Sequence, residues 1–130
     1  MSNNNNSGTP GKKILIADDS ATGRELVRTV LEKKGYEVFE ASDGIEALDF
    51  AHRVHPDLIL LDLHMPGVDG FGVVKELRRD ICFGTIPIVA LTASAMASDR
   101  ERAFAAGFTS YITKPLSLNA LRSEVERLLA

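Results

Sequence analysis

Apolar and polar positions alternate along this chain in short blocks. Ile14-Leu15-Ile16-Ala17 is a compact apolar run that predicts a buried strand. After Ser20, Leu26, Val27, Val30 and Leu31 recur at helical spacing and predict one inward face, with Ser20 as N-cap and Gly35 as the C-terminal stop. Val38-Phe39-Glu40-Ala41 predicts a second, weaker strand. Asp43 to His55 predicts a helix with Ala47, Leu48, Ala51 and Val54 inward, ended by Pro56. Leu58-Ile59-Leu60-Leu61 is apolar throughout, as expected of a central parallel strand covered on both faces. The turn-rich stretch from His64 to Gly70 follows, then a helix from Phe71 to Arg79. Pro87-Ile88-Val89-Ala90-Leu91 predicts a fourth strand, with proline tolerable at its start. Ser98 to Ala106 predicts a helix stopped by Gly107, and Ser110-Tyr111-Ile112-Thr113 a short fifth strand. The last helix starts at about Ser117 and carries Leu118, Leu121, Val125 and Leu128 on one stripe.

Strand then helix, repeated five times, implies parallel pairing with right-handed crossovers and helices on both faces. The expected fold class is therefore α/β, a doubly wound five-stranded parallel sheet of the (βα)5 kind. Open parallel sheets bind ligands at the C-terminal ends of their strands, near the switch point in strand order. Function is to be sought in the polar residues there.

Composition narrows the class. Hydrophobic residues are 45% and charged residues 25% of 130, an ordinary globular mixture that one core can organise. After the initiator methionine, residues 1–11 contain no large apolar side chain, so this segment is expected to be a disordered tail or linker ahead of a domain over 12–130. The single cysteine, Cys82, excludes an internal disulfide framework and reads as a small loop or core filler. No apolar run approaches the roughly 18–20 residues that span a bilayer, and the start does not resemble a secretory signal, so a cytoplasmic location is expected. A net charge of −3 without a basic block makes direct nucleic-acid binding by this chain unexpected.

The strand ends carry the chemistry. Strand one ends in Asp18-Asp19, strand three in Asp62, strand four in Thr92 and strand five in Thr113-Lys114-Pro115. If strand one borders strand three, three carboxylates converge. Two carboxylates about 4 Å apart repel by about 4 kcal/mol at an effective dielectric of 20, so the cluster must take up a proton or hold a cation. An all-oxygen site with open positions suits Mg²⁺. A carboxylate beside a divalent ion, a lysine and a hydroxyl is the set that phosphoryl transfer to aspartate requires. Asp62, ending the central apolar strand just before the turn loop, is the best-placed nucleophile. Asp19 is then a direct metal ligand, and Asp18 a ligand directly or through water.

Asp18-Asp19, Leu61-Asp62 with Met65-Pro66-Gly67-Val68-Asp69-Gly70, Thr92-Ala93 and Lys114-Pro115, in this order and each at its strand end, resemble the receiver domains of two-component response regulators. The resemblance covers about Lys12 to Leu129. It implies the flavodoxin-like, CheY-like fold with strand order 2-1-3-4-5. It implies phosphorylation of Asp62 by a sensor histidine kinase or histidine phosphotransfer protein. It implies Mg²⁺ on Asp19, Asp62 and the backbone carbonyl of His64, Lys114 on the acyl phosphate, and a cis Lys114-Pro115 bond. Thr92 would move toward the phosphoryl group, Tyr111 would rotate inward behind it, and helix four, strand five and helix five would form the output surface. A monomer or a weak, phosphorylation-dependent dimer is expected, with no membrane partner. His64 and Ser94 stand at positions that resemble sites tuning phosphoryl hydrolysis.

Three other readings compete. An aspartate-nucleophile phosphohydrolase needs a second aspartate where this chain has His64. A flavin-binding domain of the same topology needs a phosphate loop after strand one, where Asp18-Asp19-Ser20 repels phosphate. A phosphorylation-independent interaction module would not need the full set of side chains. His52 and His55 lack metal-like spacing and read as surface residues, while Phe104 and Phe108 read as packing, with Phe108 either filling core or widening the output face.

Overall fold

The computed structural model describes residues 11–130. The expectation for residues 1–11 falls outside them, except for Gly11, whose N–H donates to the Gly35 carbonyl. The strands are β1 Lys13–Ala17, β2 Glu37–Ala41, β3 Leu58–Asp62, β4 Ile88–Thr92 and β5 Ser110–Thr113. The helices are α1 Ala21–Glu32, α2 Gly44–Val54, α3 Gly70–Arg79, α4 Ala97–Ala106 and α5 Leu118–Leu129, with a single 3-10 turn at Ile81–Phe83. All pairings are parallel, and the sheet order is β2-β1-β3-β4-β5.

This order follows from burial. All five residues of β3 and of β4 are buried, as continuous apolar runs covered on both faces must be. Alternate side chains then feed two cores. Leu15, Ile59, Leu61 and Ala90 face α2, α3 and α4, while Ile14, Ile16, Leu60 and Leu91 face α1 and α5.

Helix starts follow local chemistry. Ser20, Asp43, Asp69 and Ser117 each accept a backbone N–H from three residues on, the ordinary N-cap bond. Helix α2 ends at His55 in a left-handed conformation, just before Pro56, which cannot continue a helix. Helix α4 departs from expectation. It begins at Ala97, and Met96 at its N-cap makes no side-chain cap bond.

Two packing expectations fail. Leu26 is 54% exposed, because α1 turns only Val27 and Leu31 fully inward. Val30 on the same helix is only partly buried. Phe104 is 43% exposed on α4 instead of packed, with the Arg100 guanidinium 5.9 Å from its ring centre. Phe108 is a core residue, edge-on to Phe71 at 6.1 Å between ring centres. His52 and His55 are exposed as expected, and both rings lie against the buried Phe83. Cys82 is exposed in the turn after α3, a loop residue and not core filler.

The β3–α3 loop is folded back tightly. A Cβ placed on Gly70 would stand 2.5 Å from the Asp62 carbonyl oxygen and 2.8 Å from the Leu63 Cα. Both are backbone atoms that cannot step aside. Gly70→Ala is therefore expected to lower stability by about 1–3 kcal/mol, the usual cost of overpacking. Urea unfolding that matched the parent chain would show that the loop relaxes freely.

Candidate functional site

Parallel register brings the chemistry together. Ala17 lies opposite Leu61, so Asp18 and Asp62 leave adjacent strands at the same level. Asp18 is 3% and Asp62 4% exposed, while Asp19 is exposed at the rim. One carboxylate oxygen from each of the three lies within 4.8 Å of the others. On the far side, Thr92 pairs with Thr113, and the Lys114 N–H donates to the Thr92 carbonyl at 2.7 Å. That ladder delivers the Lys114 ammonium to the cluster. Its Nζ donates to Asp18 Oδ2 at 2.9 Å and to Asp62 Oδ2 at 3.3 Å. The Lys114-Pro115 peptide is cis, as expected.

The remaining oxygens are also engaged. Asp18 Oδ1 accepts from the Ser20 N–H at 2.9 Å, and Asp62 Oδ1 from the His64 N–H at 3.0 Å. The Asp62 carboxylate is thus held through both of its oxygens. Thr92 is 1% exposed, and its Oγ1 accepts from the Ser94 N–H at 3.2 Å. Tyr111 is half-buried, and its hydroxyl donates to the Ser94 carbonyl at 2.6 Å.

Electrostatics follow from crowding. Burial, with a smaller contribution from the Asp18 charge, holds the Asp62 carboxyl above its ordinary range against the His64 N–H and Lys114. Burial pulls the Lys114 ammonium down, but the bond to Asp18 and the charges of Asp62 and Asp18 override it and hold it above its ordinary value. Three carboxylates against one ammonium leave two negative charges. A divalent cation fits that remainder, and an all-oxygen donor set with an exposed edge fits magnesium.

One contributor was not legible in the sequence. Arg24 of α1 donates to the Asp18 carbonyl at 2.6 Å and pairs with Glu40 at 3.0 Å, locking the end of β1 to β2. Glu40 lies sixteen residues away, and no local pattern marks such a pair. Beside the cluster, Leu26, Val27, Pro115, Leu116 and Leu118 line a mostly apolar groove of about 340 Å³ that reaches Asp18 and Lys114.

The buried Asp62 charge has a stability consequence. Because its folded-state pKa is raised, the ionised carboxylate costs stability above that pKa and costs nothing once pH falls below the ordinary value of 3.8. Asp62→Asn is expected to unfold at higher urea near neutrality, by about 0.5–2 kcal/mol, the range single stabilising substitutions usually reach. The gain should shrink as pH falls toward 3.8. A variant less stable than the parent at neutral pH would contradict the assignment of Asp62 as an electrostatically strained group.

Comparison with known proteins agrees with this geometry. The family model described as "Response regulator receiver domain" matches residues 14–126. The polar-differentiation response regulator DivK of Brucella ovis is 42% identical over 107 residues, covering 82% of this chain and 87% of DivK. The probable transcriptional regulator ycf27 of Porphyridium aerugineum is 42% identical over 118 residues, 91% of this chain but 48% of that protein, so the chain spans about half its length. Among solved structures, the chemotaxis protein CheY4 of Vibrio cholerae superposes with a TM-score of 0.87 at 34% identity, covering 92% of this chain and 99% of CheY4. The receiver domain of sensor histidine kinase PA1611 from Pseudomonas aeruginosa PAO1, solved with a magnesium ion coordinated in its active-site cleft, gives 0.84 at 34% identity, covering 92% of this chain and 98% of that one. No helix among the described residues is long and apolar enough to cross a membrane. Strand order, the paired acids of β1 and the acid–lysine bridge converge with these likenesses, and the chain belongs to the receiver domains of response regulators.

Proposed function

We propose that this chain accepts a phosphoryl group on Asp62 and uses it to change a partner-binding surface. The observation that carries the reading is the Lys114 ammonium bridging Asp18 and Asp62 while Asp19 completes the acidic cluster. Asp19, Asp62 and the His64 carbonyl would hold Mg²⁺, with Asp18 binding directly or through water. When bound, the ion would neutralise charge on the transferring phosphoryl oxygens.

The protein's own groups supply the rest. The donor is the phosphohistidine of a sensor histidine kinase or histidine phosphotransfer protein. An Asp62 oxygen attacks phosphorus, a P–O bond forms, the P–N bond breaks, and the histidine nitrogen leaves with the electron pair. Lys114, freed from its ion pair with Asp62 once the carboxylate becomes an acyl phosphate, keeps its charge for the phosphoryl oxygens. The chain turns over no external substrate; it catalyses only its own phosphorylation and the hydrolysis that ends the signal. The group adds about 1.5–2 negative charges at the strand ends. The Thr92 hydroxyl donates to a phosphoryl oxygen, and Tyr111 seats behind it. The readout surface is α4, β5 and α5. Moving the population from 1:99 to 99:1 needs about 5.5 kcal/mol, the order that a few charge-assisted hydrogen bonds provide.

Mass spectrometry after treatment with a small phosphodonor such as phosphoramidate is expected to show one added phosphoryl group with Mg²⁺ and none after chelation. Asp62→Ala should abolish the addition. Wild-type protein that stays unmodified with Mg²⁺ present would overturn the reading. The apolar groove beside Lys114 gives a second test, because this reading seats a donor protein there, a seat that a small phosphodonor does not need. Leu26→Glu, at an exposed position, should slow transfer from a phosphohistidine protein by tenfold or more, about 1.4 kcal/mol of lost apolar contact, and leave labelling by phosphoramidate unchanged. Equal rates from the protein donor would move its docking elsewhere.

A further inference from the structure

Helix α4 is held by unusual means. Only Ala103 among its residues is buried, and its N-cap residue, Met96, supplies no side-chain cap. At its C-terminal end it is clamped. Arg78 of α3 donates to the Gly107 carbonyl at 2.9 Å, to the Phe83 carbonyl at 2.7 Å and to Thr109 Oγ1 at 3.2 Å. Its N-terminal end depends on Ser94, in the loop after β4.

Ser94 bonds in four directions. Its N–H donates to Thr92 Oγ1 at 3.2 Å. Its carbonyl accepts from the Tyr111 hydroxyl at 2.6 Å. Its own hydroxyl accepts from the Met96 N–H at 3.3 Å and donates to Asp99 Oδ2, in the first turn of α4, at 2.6 Å. The backbone of one residue therefore reads Thr92 and Tyr111, and its side chain holds the free end of α4.

We propose that Ser94 is a positioning residue that couples the site to α4, with the Ser94–Asp99 hydrogen bond as the transmitting link. This rests on the phosphoacceptor reading above. The Ser94 N–H occupies a lone pair of the Thr92 hydroxyl, which leaves the hydroxyl proton free for an incoming acceptor. When a phosphoryl oxygen draws Thr92, the peptide at Ser94 must follow or give up its bond. The Ser94 hydroxyl then carries Asp99 and the first turn with it, while the Arg78 clamp keeps the far end fixed. The helix pivots on its C-terminal end.

Asp99→Ala removes the link and touches neither the acids nor Thr92. Labelling of Asp62 by phosphoramidate should be unchanged in this variant. In the unlabelled protein, amide hydrogen exchange over residues 97–101 should quicken by about fivefold, the factor expected for one lost side-chain hydrogen bond. On labelling, wild type should show a change in exchange over these residues, and Asp99→Ala should lose most of it. Ser94→Ala should lose the same response, the double variant no more than either single one, and Asp99→Asn, which keeps an acceptor oxygen, should recover it. A labelling response in Asp99→Ala equal to that of wild type would overturn the proposal while leaving phosphorylation intact. Wild type that labels without any change in α4 exchange would also overturn it. No label on wild type would instead sink the phosphoacceptor reading and the coupling with it.

Discussion

The molecule is organised around one ammonium group set between two buried carboxylates. Asp18 and Asp62 are almost wholly inaccessible, and each leaves the end of a buried apolar strand where little water reaches it. Without Lys114 they would face one another, with Asp19 at the exposed rim, at a cost of several kcal/mol. The chain tolerates this because the parallel pairing β1-β3-β4-β5 fixes four strand ends in a row, and the β4–β5 ladder puts Lys114 on the same edge. Everything nearby serves that edge. The His64 and Ser20 amides cap the remaining oxygens, Arg24 ties down the Asp18 peptide, and Gly70 lets the β3–α3 loop pass against the Asp62 carbonyl.

How much of this could be read beforehand differs by the range of the interaction. The strands were legible because full burial on both faces removes alternation, and Leu58 to Leu61 and Ile88 to Leu91 are unbroken apolar runs. Acids and lysine at strand ends were legible because the fold class places such ends together. Leu26 was misread because helical spacing marks an apolar stripe without saying how wide a stripe the sheet covers; here the sheet covers Val27 and Leu31 and leaves Leu26 at the lip of a groove. Phe104 fails for the same reason on α4, where only Ala103 is covered. Arg24 and Arg78 could not be found, since most of the groups they bond are backbone carbonyls that no residue type announces, and the others, Glu40 and Thr109, lie sixteen and thirty-one residues away.

Arg78 is instructive about where rigidity is placed. Its guanidinium is desolvated, which lowers its pKa, and it bonds two carbonyls and a hydroxyl with no carboxylate in the set. A cation in that position holds by directed hydrogen bonds from a planar fork, and it fixes geometry without being released by a competing charge. The turn it holds, at Gly107, has a positive φ that glycine adopts readily.

Contrast that end of α4 with its start, and the distribution of stability takes on a functional sense. The central strands cannot shift without opening both cores, so they serve as a fixed frame for the acids. Helix α4 buries one alanine, starts at a methionine that cannot cap it, and exposes Met96 and Phe104 to solvent. Little apolar area opposes its displacement, so a few hydrogen bonds suffice to set where it sits. Those hydrogen bonds run through the loop that also bonds Thr92 and Tyr111. On the phosphoacceptor reading, a charge added at the strand ends would act on a rigid frame at one side and on a loosely held helix at the other, and the displacement would appear in the helix.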